Sequence, residues 1–341
     1  MRVLVAMSGG VDSSVAAALL RDAGHEVVGV TLKLWGGESD TGCCSVSDVD
    51  DARRVAQQLG IDHHVFNFGD DFARHVVGPY VAAHAEGATP NPCVECNRHL
   101  KFDRLLDRAV ALDFDAVATG HHARVVERAD GTRRVARGAD PGKDQSYVLH
   151  MLDQDQLART LLPVGHMTKD AVREVAADLG LRTATKPDSQ DVCFITSSSG
   201  RSGFLSGRLD LHPAEVVDTA GREVGRVDAV ELVTVGQRKG LGLAGGDERR
   251  FAVAVDVPRR RVVVGSEREL DCSSTPVVDL AWVGDVVEEE MLVQTSAHGR
   301  PASAEVVGSE VRWREPHRRV ARGQSVVLYV GDEVVGSGIA G

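Results

Sequence analysis

The first two hundred residues alternate strand-like and helix-like segments, and this alternation limits the fold more than any other feature of the chain. Residues 2–7 form an apolar strand run, residues 13–23 are rich in Ala and Leu and end at a glycine, and residues 26–34 are again apolar and β-branched. Strands that alternate with helices predict a doubly wound, mostly parallel α/β sheet. Further strands are expected at 64–68 and 115–119, helices at 47–59, 71–85, 97–112 and 168–179, and a hairpin at 123–137.

The Ser/Gly-rich run at 197–203 is the most linker-like stretch of the chain, and helix signals nearly vanish after it. Short β runs follow at intervals typical of a small barrel or sandwich. We therefore expect an α/β domain at 1–203, a small β-rich module at 204–268 and a C-terminal β-barrel at 269–341. The β runs lie at 253–257, 261–264, 277–283, 304–313, 325–330 and 333–336.

Composition excludes several classes of protein. The 341 residues carry a formal net charge of −11, so contact with nucleic acid would depend on local basic patches. Uninterrupted apolar runs stay far below the ~18 residues of a membrane span, and the first residues lack the pattern of a signal peptide, so a cytoplasmic protein is expected. Six cysteines are too few for a disulfide scaffold and predict structural, metal-binding or reactive thiols.

The strongest local motif is Ser-Gly-Gly-Val-Asp-Ser-Ser at residues 8–14, between the first strand and the first helix. Glycines allow a tight turn in which backbone N–H groups and the helix N-terminus face one anion. The alternative is an ordinary strand-to-helix turn. The motif is neither a Walker A loop nor a dinucleotide fingerprint. It resembles the pyrophosphate loop of the PP-loop ATP pyrophosphatases, in which Asp12 would help to hold a magnesium ion on the phosphates.

Two cysteine motifs follow. In Thr-Pro-Asn-Pro-Cys-Val-Glu-Cys-Asn at 89–97, we expect Cys96 at the N-terminus of a helix that begins at Asn97, where the dipole favours a thiolate. A zinc site with Cys43 and Cys44, or a thioredoxin-like pair, remains an alternative. Cys193, in the motif at 188–195, has the alternative of an inert strand cysteine. Inert buried thiols are expected at Cys43, Cys44 and Cys272.

The ordered set of motifs is similar to the bacterial tRNA-specific 2-thiouridylases over nearly the whole chain. The set comprises residues 8–14, 89–97, Thr119-Gly120-His121-His122, Lys143-Asp144-Gln145-Ser146-Tyr147, Cys193-Phe194-Ile195 and residues 235–242. The first motif alone identifies only the PP-loop superfamily. The resemblance implies a sulfurtransferase that uses ATP to adenylate the C2 oxygen of the wobble uridine (position 34) in tRNAs for Lys, Glu and Gln. It then replaces this oxygen with persulfide sulfur and releases AMP and pyrophosphate.

The resemblance also assigns residues by motif position. Cys96 matches the nucleophile and Cys193 the persulfide-bearing cysteine, and the two form a disulfide after sulfur transfer. A cysteine desulfurase or sulfur relay protein would supply the sulfur. Some family members have Asp where this chain has Cys93, which leaves the general acid/base unassigned. Positions matching the ATP site are Ala6, Met7, Ser8, Gly9, Gly10, Val11, Asp12, Ser13, Leu32 and Gly120; positions matching tRNA contacts are Asn91, Pro92, Cys93, His121, Lys143, Asp144, Gln145, Arg312, Trp313 and Gln324.

Local charge offers basic patches for tRNA. Residues 300–322 contain six arginines and three glutamates, and the arginines flanking Trp313 suggest planes for stacking on unpaired bases. A second basic stretch comprises Arg133, Arg134, Arg137 and Lys143. A solvated charged face is the alternative for both. Because the chain has only six lysines and thirty-three arginines, Lys143 and Lys239 are weakly indicated as phosphate contacts.

Two rival functions differ in the chemistry they need. A PP-loop ligase that adds nitrogen to an adenylated carboxylate or carbonyl would not need two reactive thiols. A non-catalytic RNA- or nucleotide-binding protein would not release AMP and pyrophosphate.

Overall fold

The computed structural model describes residues 1–35, 46–188, 192–195, 200–243, 249–287 and 290–341. The contacts between these residues divide the chain into two compact units. The first unit comprises Met1–Val77, Pro92–Thr196 and Asp332–Val334, and the second comprises Gly78–Asn91, Ser197–Gly331 and Val335–Gly341. Within the described ranges, no helix combines the length and apolarity needed to cross a membrane.

A parallel sheet forms the centre of the first unit, which confirms the predicted doubly wound fold. The strand order is β3-β2-β1-β4-β7, and every neighbouring pair is parallel. An antiparallel pair, β5–β6, confirms the predicted hairpin at 123–137. The strands are β1 Arg2–Ala6, β2 Glu26–Lys33, β3 Asp62–Asn67, β4 Ala116–Ala118, β5 Ala123–Glu127, β6 Arg133–Arg137 and β7 Thr160–Leu161.

Helices connect these strands, and two π-helical segments adjoin them in the described residues. The α-helices of the first unit are Val11–Asp22, Val46–Leu59, Gly69–Phe72, Pro92–Cys96, Leu105–Ala111, Gln154–Ala158 and Lys169–Asp178, with π-helical segments at Ala73–Val77 and Asn97–Arg104 and 3-10 turns at Ser146–Leu149 and Pro163–His166. The side chain of Thr168 caps the helix Lys169–Asp178 by accepting a hydrogen bond from the Ala171 amide at 3.3 Å.

The core of the first unit fixes the direction of the first helix. Val3 and Val5 of β1 pack with Val15 and Ala18 of the helix Val11–Asp22, and all four are fully buried. From β1 the chain adds β2 and β3 on one side and later β4 on the other. The carboxyl ends of β1 and β4 therefore flank the switch point of the sheet, where open α/β folds bind ligands.

The second unit contains a four-stranded sheet and a closed barrel, as predicted. The four-stranded sheet has the order β10-β11-β8-β9, and the barrel has the order β12-β15-β14-β13-β16-β17, closed by the pairing of β12 with β17. The α-helices are Gly78–Ala85 and Gly200–Ser206, with 3-10 turns at Val230–Leu232 and Arg268–Leu270. The strands are β8 Ala214–Asp218, β9 Glu223–Val227, β10 Phe251–Asp256, β11 Arg261–Gly265, β12 Asp271–Trp282, β13 Met291–Gln294, β14 Ala302–Val307, β15 Glu310–Arg318, β16 Ser325–Val330 and β17 Glu333–Ala340.

The predicted boundaries of two segments in the second half of the chain differ from the structure. The linker assignment was wrong at its C-terminal end, because residues 200–206 form a helix that buries Phe204 and Leu205. The predicted strand at 304–313 is two strands, since Gly308 adopts a φ of +61° in the turn between β14 and β15. The predicted domain boundary at 203/204 thus falls inside a helix, and the three-domain division stays a prediction.

Candidate functional site

The loop at residues 8–10 joins β1 to the first helix at the switch point. Gly10 occupies the N-cap position in an extended conformation, and no side chain caps the helix N-terminus. The hydroxyl of Ser14 instead donates to the Gly10 carbonyl at 2.7 Å. The amide of Ser8 donates to Ser13 Oγ at 3.2 Å, which closes the loop on itself. The first-turn N–H groups are therefore available to an anionic ligand.

Two glycines are required here by close backbone approaches. Gly9 has a φ of +75°, and a Cβ atom at this position would lie 2.3 Å from the Asp48 carbonyl oxygen. A Cβ atom on Gly120, which follows β4, would lie 2.5 Å from the Ser13 amide nitrogen. Only glycine fits either position, because a contact this short would force the backbone apart. The loop after β4 therefore packs directly on the start of the first helix.

Lys186 fixes the back of the loop. Its ammonium group donates to the Gly9 carbonyl at 3.0 Å, to Asp48 at 2.6 Å and to Asp51 at 2.8 Å. Burial disfavours the charged form of Lys186, but the hydrogen bonds from this ammonium to the two carboxylates outweigh burial and raise its pKa. The loop conformation thus depends on a cation that lies 177 residues further along the chain.

Asp12 lies in the first turn of the helix, between two basic side chains. Lys169 donates to both carboxylate oxygens, at 2.8 and 2.7 Å, and His122 Nε2 donates to Oδ1 at 3.1 Å. Burial opposes ionisation of Asp12, but the hydrogen bonds from His122 and Lys169 outweigh it and lower the pKa of this carboxyl group. Asp12 is therefore a carboxylate at neutral pH.

Asp188 shares the same ammonium group. Lys169 donates to Asp188 Oδ1 at 2.9 Å, Arg173 donates to the same oxygen at 2.8 Å, and Lys143 donates to Oδ2 at 2.8 Å. Burial opposes ionisation of Asp188, but the hydrogen bonds from Lys143 and Lys169 hold its pKa well below the usual range. Four basic groups and two carboxylates thus form one network beside the loop at residues 8–10.

Sequence reasoning missed Lys169 and Lys186, although a signal for both was present. The scarcity of lysine was applied to Lys143 and Lys239, but the same scarcity holds for every lysine of the chain. Lys143, Lys169 and Lys186 all belong to the network around the loop and Asp188. Lys239 is exposed in the second unit.

The expected position of Cys96 at a helix N-terminus was wrong. The helix begins at Pro92, because proline fixes a helical φ and loses no hydrogen bond at the first helical position. Cys93 therefore lies in the first turn, and Cys96 lies one turn later, directly before a π-helical segment. Both side chains are partly exposed. Their i, i+3 spacing places the two thiols on one side of the helix.

Cys193 precedes an aromatic anchor. The Phe194 side chain is 5% exposed, and its ring centroid lies 5.6 Å from that of Phe72 and 6.4 Å from that of Trp35. Phe72 ends the helix that continues into residues 73–77, and this segment also contacts the helix of Cys96. One helical segment therefore contacts the surroundings of both cysteines.

His121 lies in the interior of the unit, next to Lys101. The Lys101 ammonium donates to His121 Nε2 at 3.4 Å, which leaves the ring proton on Nδ1, 2.6 Å from Thr119 Oγ1. Burial and the charge of Lys101 lower the pKa of His121 well below its ordinary value. His121 is 7% exposed, so its contact with tRNA stays a prediction.

The turn at 143–145 is held by Asp144. Its carboxylate accepts hydrogen bonds from the Gly138 amide at 3.0 Å, the Ser146 amide at 3.1 Å and Arg137 at 2.9 Å. Gln145 accepts from the His122 amide at 2.9 Å. Lys143 and Gln145 are exposed on this turn, and the contacts of Lys143, Asp144 and Gln145 with tRNA stay predictions.

A barrel turn holds the segment that precedes Pro92. The Gln324 side-chain amide donates to the Thr89 carbonyl, and the Thr89 amide donates to the Arg322 carbonyl at 2.8 Å. Asn91 follows two residues later. The structure thus joins two positions that the sequence offered as separate tRNA contacts, Gln324 and the segment of Asn91.

The expected open indole face of Trp313 was wrong. Its side chain is 7% exposed, its ring stacks on His317 at 3.9 Å, and its Nε1 donates to Thr275 at 3.0 Å. Strand β15 directs alternate residues into the barrel, and Trp313 is on the inner side. Arg312 and Arg314 are exposed on the other side and pair with glutamates.

The remaining predicted nucleotide positions line the ends of β1 and β2. Met7 and Leu32 are buried at 1% and 7% exposure, Ala6 ends β1, and Val11 begins the first helix. Among the described residues, no three His, Cys, Asp or Glu side chains form a metal cluster. Asp12 is the carboxylate of the 8–14 motif that would hold magnesium, which binds proteins through one or two carboxylates together with phosphate oxygens. Cys43 and Cys44 lie outside the described residues, and Cys272 is half-buried, with burial raising the pKa of its thiol.

Three family descriptions match the chain. A tRNA methyl transferase HUP domain matches residues 1–197, a tRNA methyl transferase PRC-barrel domain matches 202–266, and an aminomethyltransferase beta-barrel domain matches 275–340.

Curated relatives match nearly the whole chain. The tRNA-specific 2-thiouridylase MnmA of Chloroflexus aurantiacus is 47% identical, covering 98% of this chain and 97% of the relative. The proteins of the same name from Moorella thermoacetica and Geobacter metallireducens are 45% and 43% identical, covering 98% and 99% of this chain and 98% and 96% of their own lengths. A solved 4-thiouridine synthetase–RNA complex with bound ATP is 17% identical over 57% of this chain and 44% of that chain, with a TM-score of 0.38, which is too low to carry an argument.

Proposed function

This chain belongs to the tRNA-specific 2-thiouridylase family, and we propose on that premise that it is an ATP-dependent sulfurtransferase that converts a uridine of tRNA to 2-thiouridine. The observation that carries the proposal is the join between the nucleotide loop and the start of the Cys193 segment. Lys169 donates to Asp12, in the helical turn that follows the loop, and to Asp188, five positions before Cys193. The residues proposed for ATP activation and the start of the segment that carries Cys193 are thus linked through Lys169 within one unit.

Activation follows from the loop. The amides of the first helical turn and of the glycines in the loop at 8–10 receive the phosphates of ATP. Asp12 would hold a magnesium ion that neutralises phosphate charge. The C2 oxygen of the uridine attacks the α-phosphorus, and pyrophosphate leaves. Adenylation is needed because an amide-like carbonyl oxygen is a poor leaving group, whereas AMP is a better one.

Sulfur transfer requires two thiols. The terminal sulfur of a persulfide on Cys193 attacks C2, and AMP leaves with the original oxygen. The Cys96 thiolate then attacks the inner sulfur on Cys193, which breaks the S–S bond to the product and leaves a Cys96–Cys193 disulfide. A thiol reductant must reduce this disulfide before the next turnover. The wobble position, the tRNAs for Lys, Glu and Gln, and a persulfide donor protein belong to this proposal by resemblance to the family.

The family description as a methyl transferase favours a different reaction, but the residues do not support it. Methyl transfer needs neither a pyrophosphate-type loop nor a pair of thiols. The relatives that match over nearly their full length are 2-thiouridylases. A PP-loop ligase would likewise leave Cys96 and Cys193 without a role.

The decisive experiment measures pyrophosphate release and 2-thiouridine separately, with unmodified tRNA, ATP, magnesium and a persulfide source. Cys96→Ser and Cys193→Ser are expected to retain tRNA-stimulated pyrophosphate release and to lose 2-thiouridine. Cys272→Ser, in the barrel, is the matched control and is expected to retain both. Full thiolation by Cys193→Ser would rule out the persulfide mechanism, and a Cys93–Cys96 disulfide after one turnover would contradict the thiol assignment.

A further inference from the structure

Asp188 lies where three functional parts of the first unit meet. Its two carboxylate oxygens accept hydrogen bonds from Lys143, Lys169 and Arg173 at 2.8, 2.9 and 2.8 Å. Its side chain is 35% exposed, and the Lys169 side chain is only 9% exposed. Three cations on one carboxylate exceed what a single surface ion pair provides, so the position of this residue is strongly determined.

Each cation connects Asp188 to a different part of the unit. Lys169 donates to both oxygens of Asp12, in the helical turn that follows the nucleotide loop. Lys143 belongs to the turn fixed by Asp144, which is predicted to touch tRNA. Arg173 also donates to the Ala184 and Lys186 carbonyls at 2.7 and 3.1 Å, and so holds the backbone that leads to Asp188.

The position of Asp188 limits where Cys193 can lie. Cys193 lies five positions after Asp188, and an extended chain covers at most ~18 Å over five steps. On the other side of Cys193, Phe194 packs on Phe72. The chain that carries Cys193 is therefore held at Asp188 by ionic contacts and at Phe194 by an aromatic contact.

We propose that Asp188 is a positioning residue through which the nucleotide loop and the Lys143 turn set the position of Cys193. The proposal rests on the function proposed above and extends it to how ligand binding affects the cysteine that carries the sulfur. A ligand that contacts Asp12 competes with Lys169 for that carboxylate, and a phosphate that contacts Lys143 withdraws this ammonium from Asp188. Either event changes the balance of charges on Asp188 and therefore the restraint on Cys193.

The test measures how fast iodoacetamide alkylates Cys193 in the whole protein, by peptide mass spectrometry. The rate is compared without ligand, with an ATP analogue that cannot be cleaved between its α- and β-phosphates, and with unmodified tRNA. In the wild type, each ligand is expected to change the rate by about fivefold or more, the lower range of typical coupling between sites. Asp188→Asn is expected to abolish both responses, and Lys143→Gln only the response to tRNA.

Asp22→Asn is the matched control, because it removes the same charge from an exposed one-to-one pair with Arg21 in the same unit. It is expected to respond like the wild type, and Asp188→Glu is expected to recover part of the response. Wild-type responses in Asp188→Asn, or a wild type that responds to neither ligand, would overturn the proposal. If melting shows Asp188→Asn to be unfolded, Lys143→Gln decides, since a retained tRNA response in it also overturns the proposal. Alkylation needs only binding, so failure of the proposed function would show separately, as absent tRNA-stimulated pyrophosphate release.

Discussion

The basic groups beside the nucleotide loop and those on the barrel surface use their charge differently. Lys169 is 9% exposed and shares one ammonium between Asp12 and Asp188. Arg312 is 53% exposed and has a single 3.4 Å contact with Glu310. A buried, shared cation determines the position of its partners, whereas an exposed pair is weak and leaves its arginine able to exchange partners. The first arrangement suits a rigid site, and the second suits a surface that contacts a polyanion.

Removal of the shared cation should have the largest effect. Lys169→Gln leaves two carboxylates beside a neutral amide, and we expect a loss of about 3–4 kcal/mol in the free energy of unfolding, the lower range for a broken buried pair because both carboxylates are partly exposed. Arg312→Gln is the control, for which less than about 0.5 kcal/mol is expected. Urea denaturation of both variants checks the difference, and similar losses would show that the two regions do not differ.

Substitutions of two glycines, one in each region, compare the backbones of the two regions in the same way. Gly9→Ala combines a φ of +75° with a clash 2.3 Å from the Asp48 carbonyl, whereas Gly308→Ala in the barrel has a φ of +61° and no atom within 4 Å. We expect about 2–3 kcal/mol of destabilisation for the first and about 1 kcal/mol for the second. The first variant should also lose binding of ATP, measured by calorimetry. Equal losses of stability would mean that the loop relaxes around the added methyl group.

A third test compares how acid pH lowers the stability through a histidine in each region. Burial, with a smaller contribution from the charge of Arg98, lowers the pKa of His150 to about 3 from 6.5. The unfolded chain binds this proton below pH 6.5 but the folded protein does not, so stability falls as the pH drops from 6.5 towards 3, by about 2 kcal/mol at pH 5. His150→Phe should remove this loss, as urea denaturation at pH 7 and pH 5 would reveal. His317→Phe should remove less, because half-buried His317 in the barrel is less desolvated. An unchanged acid response in His150→Phe would contradict the assignment.

The sequence predicted the structural features that depend on residues close together in the chain. The order of strand, glycine loop and helix at residues 2–22 is local, and it was predicted from the sequence. The ion pairs on that loop were missed, because Lys169 and Lys186 follow Asp12 and Gly9 by 157 and 177 residues, and no local periodicity records such a contact. Trp313 is a different case. The alternation of Val311, Arg312, Trp313 and Arg314 already indicates a buried indole, since side chains in a strand point to opposite faces.

The smallest expected effect concerns the barrel surface and decides whether its exposed arginines contact tRNA. Each phosphate contact releases counterions, so the slope of log binding constant against log salt should fall by about 0.7–0.9 in magnitude for Arg312→Gln if Arg312 contacts a phosphate. Arg222→Gln, in the four-stranded sheet region and paired with Asp218 at 2.8 Å, is the control and should leave the slope unchanged. Filter binding of unmodified tRNA across a salt series measures both variants. An unchanged slope for Arg312→Gln would assign this surface to solvation alone. A lowered slope would instead show that the loosely paired barrel arginine, unlike the shared lysine of the first unit, exchanges its glutamate for a phosphate when tRNA binds.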